Sequence, residues 1–205
     1  EWVKMAKLLP LLFEGTLVSL QIFFLTLIFS LPLGLLVALG RKSRKRWICE
    51  PIKWYILVMR GTPLILQIFI INYAPYYMFR LNLDRFLAAI IGFSLNYAAY
   101  FAEIYRGGIE SIPQGQYEAA AVLGFTRSQT FFRIILPQVI KRVLPPISNE
   151  IITLVKDTAL VTILGISELF RVAKNQANAA FSTTPLFVAG LFYLVMNWGV
   201  TKVLH

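Results

Sequence analysis

The chain has 205 residues, 58% of them hydrophobic, and a mean hydropathy of +0.67. The apolar residues come in long blocks rather than short alternating stretches, which excludes an ordinary soluble domain and points to a helical bundle in lipid. The formal net charge is +10, but the bases gather between the apolar blocks, so retention on one side of a membrane explains them better than nucleic-acid binding; a lone Cys49 and a lone His205 leave no disulfide and no metal-spaced cluster.

Five spans are predicted, making an all-α membrane protein with one transmembrane domain over 1–205. The first, about Leu11 to Gly40, carries only Glu14 as a charge and is long enough to cross with tilt or with a kink at Pro32. It is too long for a signal-peptide core and has no small-residue cleavage site at a suitable distance, so it is kept as a spanning helix. The chain begins with Glu1 rather than Met, and a few native residues are expected upstream. The second span, about Trp54 to Phe79, is interrupted early by Gly61 and Pro63. The third, about Arg85 to Tyr105, has the length of about 20 residues that a bilayer needs. The fourth begins near Leu144, carries Glu150, Lys156 and Asp157, and fades at Gly165. A polar, helical stretch from Ser167 to Thr184 is no lipid-facing span, and the fifth span runs from about Pro185 to Leu204.

Orientation follows from the bases. Arg41, Lys42, Arg44, Lys45 and Arg46 follow the first span, and Arg106, Arg127, Arg133, Lys141 and Arg142 lie between the third and fourth. Both sets are expected in the cytoplasm. The opposite side holds a thinner set, Lys4, Lys7, Arg80, Arg85, Arg171 and Lys174. Five crossings then put the N-terminus outside and the C-terminus inside.

The long loop of about 107–137 carries a distinctive pattern. Glu118-Ala119-Ala120 is followed four positions later by Gly124, then by nine residues and Ile134-x-Leu136-Pro137. Gln116 to Leu123 has helix formers with small side chains, which suits a short helix held close against another surface. Gly124 is placed to take the left-handed conformation that ends it. Thr126 to Gln129 starts a second helix, Ile134 to Leu136 anchors it, and Pro137 marks the return towards the membrane. The competing reading is an amphipathic helix lying on headgroups.

The same pattern resembles the EAA signature of the membrane-spanning subunits of ABC importers. The resemblance extends to Arg60-Gly61-Thr62-Pro63-Leu64, Ala102 to Ile109, Ile112 to Gln116 and Lys156-Asp157-Thr158, which look like the polar amino-acid permease branch, the histidine, arginine, lysine and glutamine systems. It implies a type I importer-like fold in a prokaryotic cytoplasmic membrane, with no catalytic site in this chain. It further implies a second permease, identical or a close paralogue, and an extracytoplasmic amino-acid-binding protein. A separate ATPase dimer would hold ATP and Mg2+, and the motif residues Glu118, Ala119, Ala120, Gly124, Ile134, Leu136 and Pro137 would couple to it.

Candidate substrate residues follow from the cost of polarity in lipid. Intramembrane charges and amides are functional candidates by default. Glu150, Thr153 and Asp157 share one helical stripe, with the two acids about 10 Å apart along it. Asn96 sits in the middle of the third span, on a stripe with Tyr100 and Glu103; Thr62 and Gln67 offer similar groups on the second. Each has a structural alternative: an ion pair between Asp157 and a neighbouring base, a helix-to-helix tie at Asn96, a local pair between Glu103 and Arg106, a structural role for Arg60. Two acids on one face favour a cationic amino acid as cargo, with a neutral one such as glutamine as the alternative. A secondary transporter predicts transport without an ATPase and usually an inverted repeat, and no internal repeat is visible.

Overall fold

A computed structural model describes residues 2–205, and among them the regular elements are helices, with no strand. Helix α1 spans Trp2–Arg41 without interruption, with Pro10 and Pro32 both inside it. At about 1.5 Å per residue it is about 60 Å long, twice the hydrocarbon core of a bilayer. The extra length is used for packing. Leu8 and Leu12 are buried with Leu169, Ala173 and Ala189 from the last third of the chain. At Gly15 the backbone of Leu169 comes within 2.9 Å of the point where a Cβ would stand, so only glycine allows this approach.

The predicted second span is broken. Helices α2 (Arg46–Gly61) and α3 (Leu64–Phe79) are bent by 113° at the break between them. Thr62 precedes Pro63, whose ring excludes the helical conformation one residue back, and Thr62 is extended at φ −119° and ψ 153°. Helix α2 packs Ile56 against Ala38, Ala99 and Ala102 and leaves Trp47, Trp54 and Val58 exposed on its other face. It is an amphipathic helix leaning on the bundle.

Helix α4 (Arg85–Glu110) is the centre of the bundle. Asp84 caps it, its carboxylate accepting from the Leu87 N–H at 3.1 Å. Ala88, Ala89, Phe93, Ala98, Ala99 and Phe101 are wholly inaccessible. Small side chains here let neighbours close in, and the Ala98 carbonyl lies 3.1 Å from the Cβ position of Gly34 on α1. Phe93, Tyr97 and Phe101 form the main core with Ile22 and Phe23 of α1, Ile68 of α3 and Leu154, Val161 and Leu164 from the later segments.

After a short helix α5 (Gln114–Val122), helix α6 (Arg127–Thr130) runs through a π-helical turn, Phe131–Ile135, into α7 (Leu136–Asp157). A 3-10 segment, Thr158–Leu164, and a Gly165 turn lead to α8 (Leu169–Ala180) and α9 (Thr184–Leu204). Among the described residues, α1, α4 and α9 are long and apolar enough to cross a bilayer, and the bent α2–α3 pair makes a fourth if counted as one span. The predicted fourth span is not a clean apolar helix. Pro145, Pro146, Glu150, Lys156 and Asp157 dilute it, and its last turns wind as 3-10.

Candidate functional site

The loop between α4 and α7 folds as a small unit with its own core. Ile112, Ile135, Val139 and Val143 are buried together, with Tyr117 and Ile134 packed against them. Ala120 is buried in α5, whereas Glu118, Ala119 and Ala121 are exposed. Gly124 adopts φ +80°, and the Phe125 N–H reaches the Ala120 carbonyl at 3.0 Å, the six-to-one bond of a Schellman stop. Thr126 caps α6 through a reciprocal box with Gln129, at 3.2 Å and 3.0 Å. The anchor is Ile135, fully buried, while its neighbours Ile134 and Leu136 are half-buried. Pro137 does not interrupt the chain: it is the second residue of α7, directly after the π-helical turn Phe131–Ile135. Val122 and Leu123, at 87% and 73% exposure, form a bare apolar tip that the sequence pattern alone did not single out.

Thr62, Gln67 and Asn96 come together at the break between α2 and α3. Ending α2 at Gly61 leaves its last carbonyls without helical partners. Thr62 returns its hydroxyl to the Val58 carbonyl at 2.7 Å, and the Gln67 amide donates to the Met59 and Thr62 carbonyls at 3.0 and 3.1 Å. Asn96 donates to the same Met59 carbonyl at 3.1 Å and to Gln67 Oε1 at 2.9 Å, which pins the break to α4. The amides act here as the helix tie that was the alternative reading of Asn96. Replacing Asn96 by Leu leaves Gln67 Oε1 without its donor and the Met59 carbonyl with one donor instead of two, and a loss of about 1–2 kcal/mol is expected, read as a lower melting temperature of the solubilised chain. An unchanged melting curve would show the tie to be idle.

Close by, Glu103 binds Arg106 at 2.7 Å and Arg60 at 3.7 Å, and Arg106 continues to Glu110 at 2.6 Å. Arg60 also stacks over the Tyr100 ring at 5.5 Å. This chain of charges joins α2 to the end of α4, so Arg60 and Glu103 are engaged with one another.

The acids of α7 are differently placed. Asp157 accepts from the Tyr97 hydroxyl at 2.6 Å and has no ion pair among the described residues; Lys156, next to it, is exposed. Glu150 is half-buried and, among the described residues, neither carboxylate oxygen has a partner. Thr153 returns its hydroxyl to the Asn149 carbonyl at 3.0 Å. The stripe therefore offers carboxylate oxygens that the protein itself does not neutralise.

One polar centre escaped the sequence reading. Glu168 is fully buried, and its carboxylate receives the hydroxyls of Thr162 at 2.7 Å, Tyr193 at 2.7 Å and Ser19 at 3.3 Å. The N–H groups of Phe170 and Arg171 add bonds of 2.9 and 2.8 Å, which cap α8. It joins α1, the 3-10 segment, α8 and α9. The only signal was an acid set between the apolar pairs Gly165-Ile166 and Leu169-Phe170, inside a stretch polar enough to hide it.

Residues 30–201 match the family described as binding-protein-dependent transport system inner membrane component. The chain is 43% identical over 170 residues to the L-cystine transport system permease protein TcyB of Bacillus subtilis (strain 168), covering 81% of this chain and 70% of that one. It is 38% identical over 192 residues to the arginine transport system permease protein ArtQ of the same organism, covering 92% and 86%. A putative glutamine transport system permease protein GlnP of Rickettsia felis (strain ATCC VR-1525 / URRWXCal2) is 35% identical, covering 89% and 84%. The fold superposes with a TM-score of 0.91 on a crystal structure of an amino acid ABC transporter with histidines, at 33% identity over 100% of this chain and 95% of that one. It superposes at 0.73 on an inward-facing MetNI methionine ABC transporter, at 18% identity over 95% and 93%, a likeness of fold alone. The chain therefore belongs to the binding-protein-dependent inner membrane transport components, as a non-catalytic permease subunit of an amino-acid ABC importer.

Proposed function

We propose that this permease lines the path of a cationic amino acid, arginine, lysine or histidine, and that Glu150 and Asp157 are its principal contacts. The observation that carries the proposal is a pair of carboxylates on α7, neither of which is in an ion pair among the described residues. A guanidinium or ammonium in a partly desolvated site would supply the missing charge. Thr153 lies between the two acids along α7, and Asn96, Gln67 and Thr62 form a second polar cluster, their amide hydrogens already committed to the helix break. A neutral cargo is the second reading, supported by relatives named for cystine and glutamine.

The chain crosses the inner membrane five times in this proposal, with the bent pair as the second crossing and α7 with its 3-10 extension as the fourth, the N-terminus outside and the C-terminus in the cytoplasm. Loop 107–137 then faces an ATPase dimer that carries ATP and Mg2+, a second permease completes the path, and an extracytoplasmic receptor delivers the amino acid. Glu118, Ala119, Ala120, Gly124, Ile134, Leu136 and Pro137 belong to the coupling unit. Helical structure continues from Arg127 to Asp157, which supports direct transmission: movement of the loop carries Glu150 and Asp157 with it. When the ATPase pair closes on ATP, the two loops approach and the cavity turns outward; hydrolysis reverses the packing.

Glu150→Gln tests the cargo. In the reconstituted complex with its receptor, arginine-stimulated ATP hydrolysis is expected to lose about tenfold in apparent affinity, the worth of one charge-assisted bond. Unchanged stimulation and affinity would remove the cationic assignment and leave the neutral one.

A further inference from the structure

We propose that Arg85 and Arg171 form a carboxylate-binding site at the Gly165 turn, which takes the α-carboxylate of the amino acid in transit. Gly165 closes the 3-10 segment at φ +78°, and a Cβ there would stand 2.8 Å from an Arg171 Nη1 and 3.0 Å from Arg85 Nη1. The two guanidinium nitrogens thus lie within about 6 Å of each other, close enough to repel. Among the described residues neither has an ion pair.

The neighbouring acids are committed elsewhere. Asp84 accepts from the Leu87 N–H, and the Glu168 carboxylate is turned inward onto Thr162, Tyr193 and the first N–H groups of α8. Both arginines also stand in the first turn of a helix, α4 and α8, where the positive end of the helix dipole disfavours a cation and favours an anion. Two like charges converge on one point, and a carboxylate between the two planar forks neutralises both.

The ligand follows from the family alone, because every amino acid carries an α-carboxylate whatever its side chain. The site does not depend on the cationic reading. It is also separate from the α7 acids: Arg85 is twelve residues from Tyr97, the partner of Asp157, or about 18 Å along α4, beyond the reach of one extended amino acid. In the proposed orientation Arg85 and Arg171 lie at the outer end of the path, and they form a first station that holds the group common to all cargoes.

The test uses the permease–ATPase complex in lipid nanodiscs without receptor, with binding of L-arginine compared with L-argininamide and of L-glutamine with its α-carboxamide. Wild-type protein is expected to prefer the free acid about tenfold in whichever pair it binds, so a failure of the cationic reading moves the preference to glutamine without removing it. R85Q/R171Q is expected to abolish the preference and R85K/R171K to retain part of it. Equal binding of acid and amide by wild-type protein, which needs no variant, would overturn the proposal. So would a preference that survives R85Q/R171Q, including the case in which that variant loses only receptor association by surface plasmon resonance, which would assign the arginines to a receptor carboxylate.

Discussion

Replacing Glu168 by Ala is expected to lower the melting temperature of the solubilised permease by about 10 °C, the largest stability loss of any single change considered for this fold. The carboxylate is wholly buried and accepts five hydrogen bonds. Its loss strands the hydroxyls of Thr162 and Tyr193 and the two N–H groups that open α8. At about 1–3 kcal/mol for each buried polar group left unpaired, and with some rescue by water in the cavity, a total near 4 kcal/mol results. The geometry also explains why the loss spreads. Ser19 both donates to Glu168 and accepts from the Leu169 N–H at 3.2 Å, directly beside the close approach at Gly15, so α8 loses its seat on α1 as well as its cap. Glu168→Gln keeps one acceptor oxygen and is expected to cost about half as much. A melting temperature for the Ala variant within about 2 °C of wild type would show that the hub carries no weight.

Placing Asp at both Val122 and Leu123 is expected to uncouple transport without unfolding the permease. Both side chains stand almost bare at the end of α5, next to the Gly124 stop that fixes the direction of the tip. Their burial in an ATPase cleft would be worth about 1.5–3 kcal/mol each, and two carboxylates there would be desolvated without partners. ATPase association is expected to weaken about 100-fold or more, and uptake in proteoliposomes to fall with it. The melting temperature of the permease alone should not move, because neither residue packs on its own core. Co-purification of the ATPase at wild-type yield with this double variant would place the docking surface elsewhere. The contrast with Glu168 is useful: one change removes stability, the other removes partnership.

How far the sequence can be followed is clearest at α5 and its surroundings. The Gly124 turn, the Thr126 cap and the helices on either side were all legible, because they depend on contacts within five or six residues. The first, third and fifth spans were likewise legible from apolar length, though α1 runs further towards the N-terminus than its uncharged part. Lys4 and Lys7 end the apolar block, but they do not end the helix.

The second span shows the limit from the other side. Gly61 and Pro63 announced an interruption, yet whether it would bend slightly or by 113° depends on what receives the freed carbonyls. That receiver is Gln67 together with Asn96, which lies 37 residues from Met59 along the chain. The polarity of Asn96 is plain in the sequence, while its partner is beyond the reach of any local pattern. The role of Glu168 is hidden for the same reason, since four separate segments contribute its donors.

Sequence alone was enough for the membrane class, for the importer family through its motif, and for the Gly124 turn and Thr126 cap of loop 107–137, because hydropathy, motif spacing and short-range turn chemistry are written along the chain. Tertiary structure decided what each polar group is free to do. It commits Asn96 and Gln67 to a helix break, Glu103 to two arginines and Glu168 to four segments, and among the described residues it leaves Glu150, part of Asp157, and the Arg85–Arg171 pair without partners of their own. The physical reason is that a buried polar group must be satisfied by atoms close in space, and distance along the chain does not say which atoms those are.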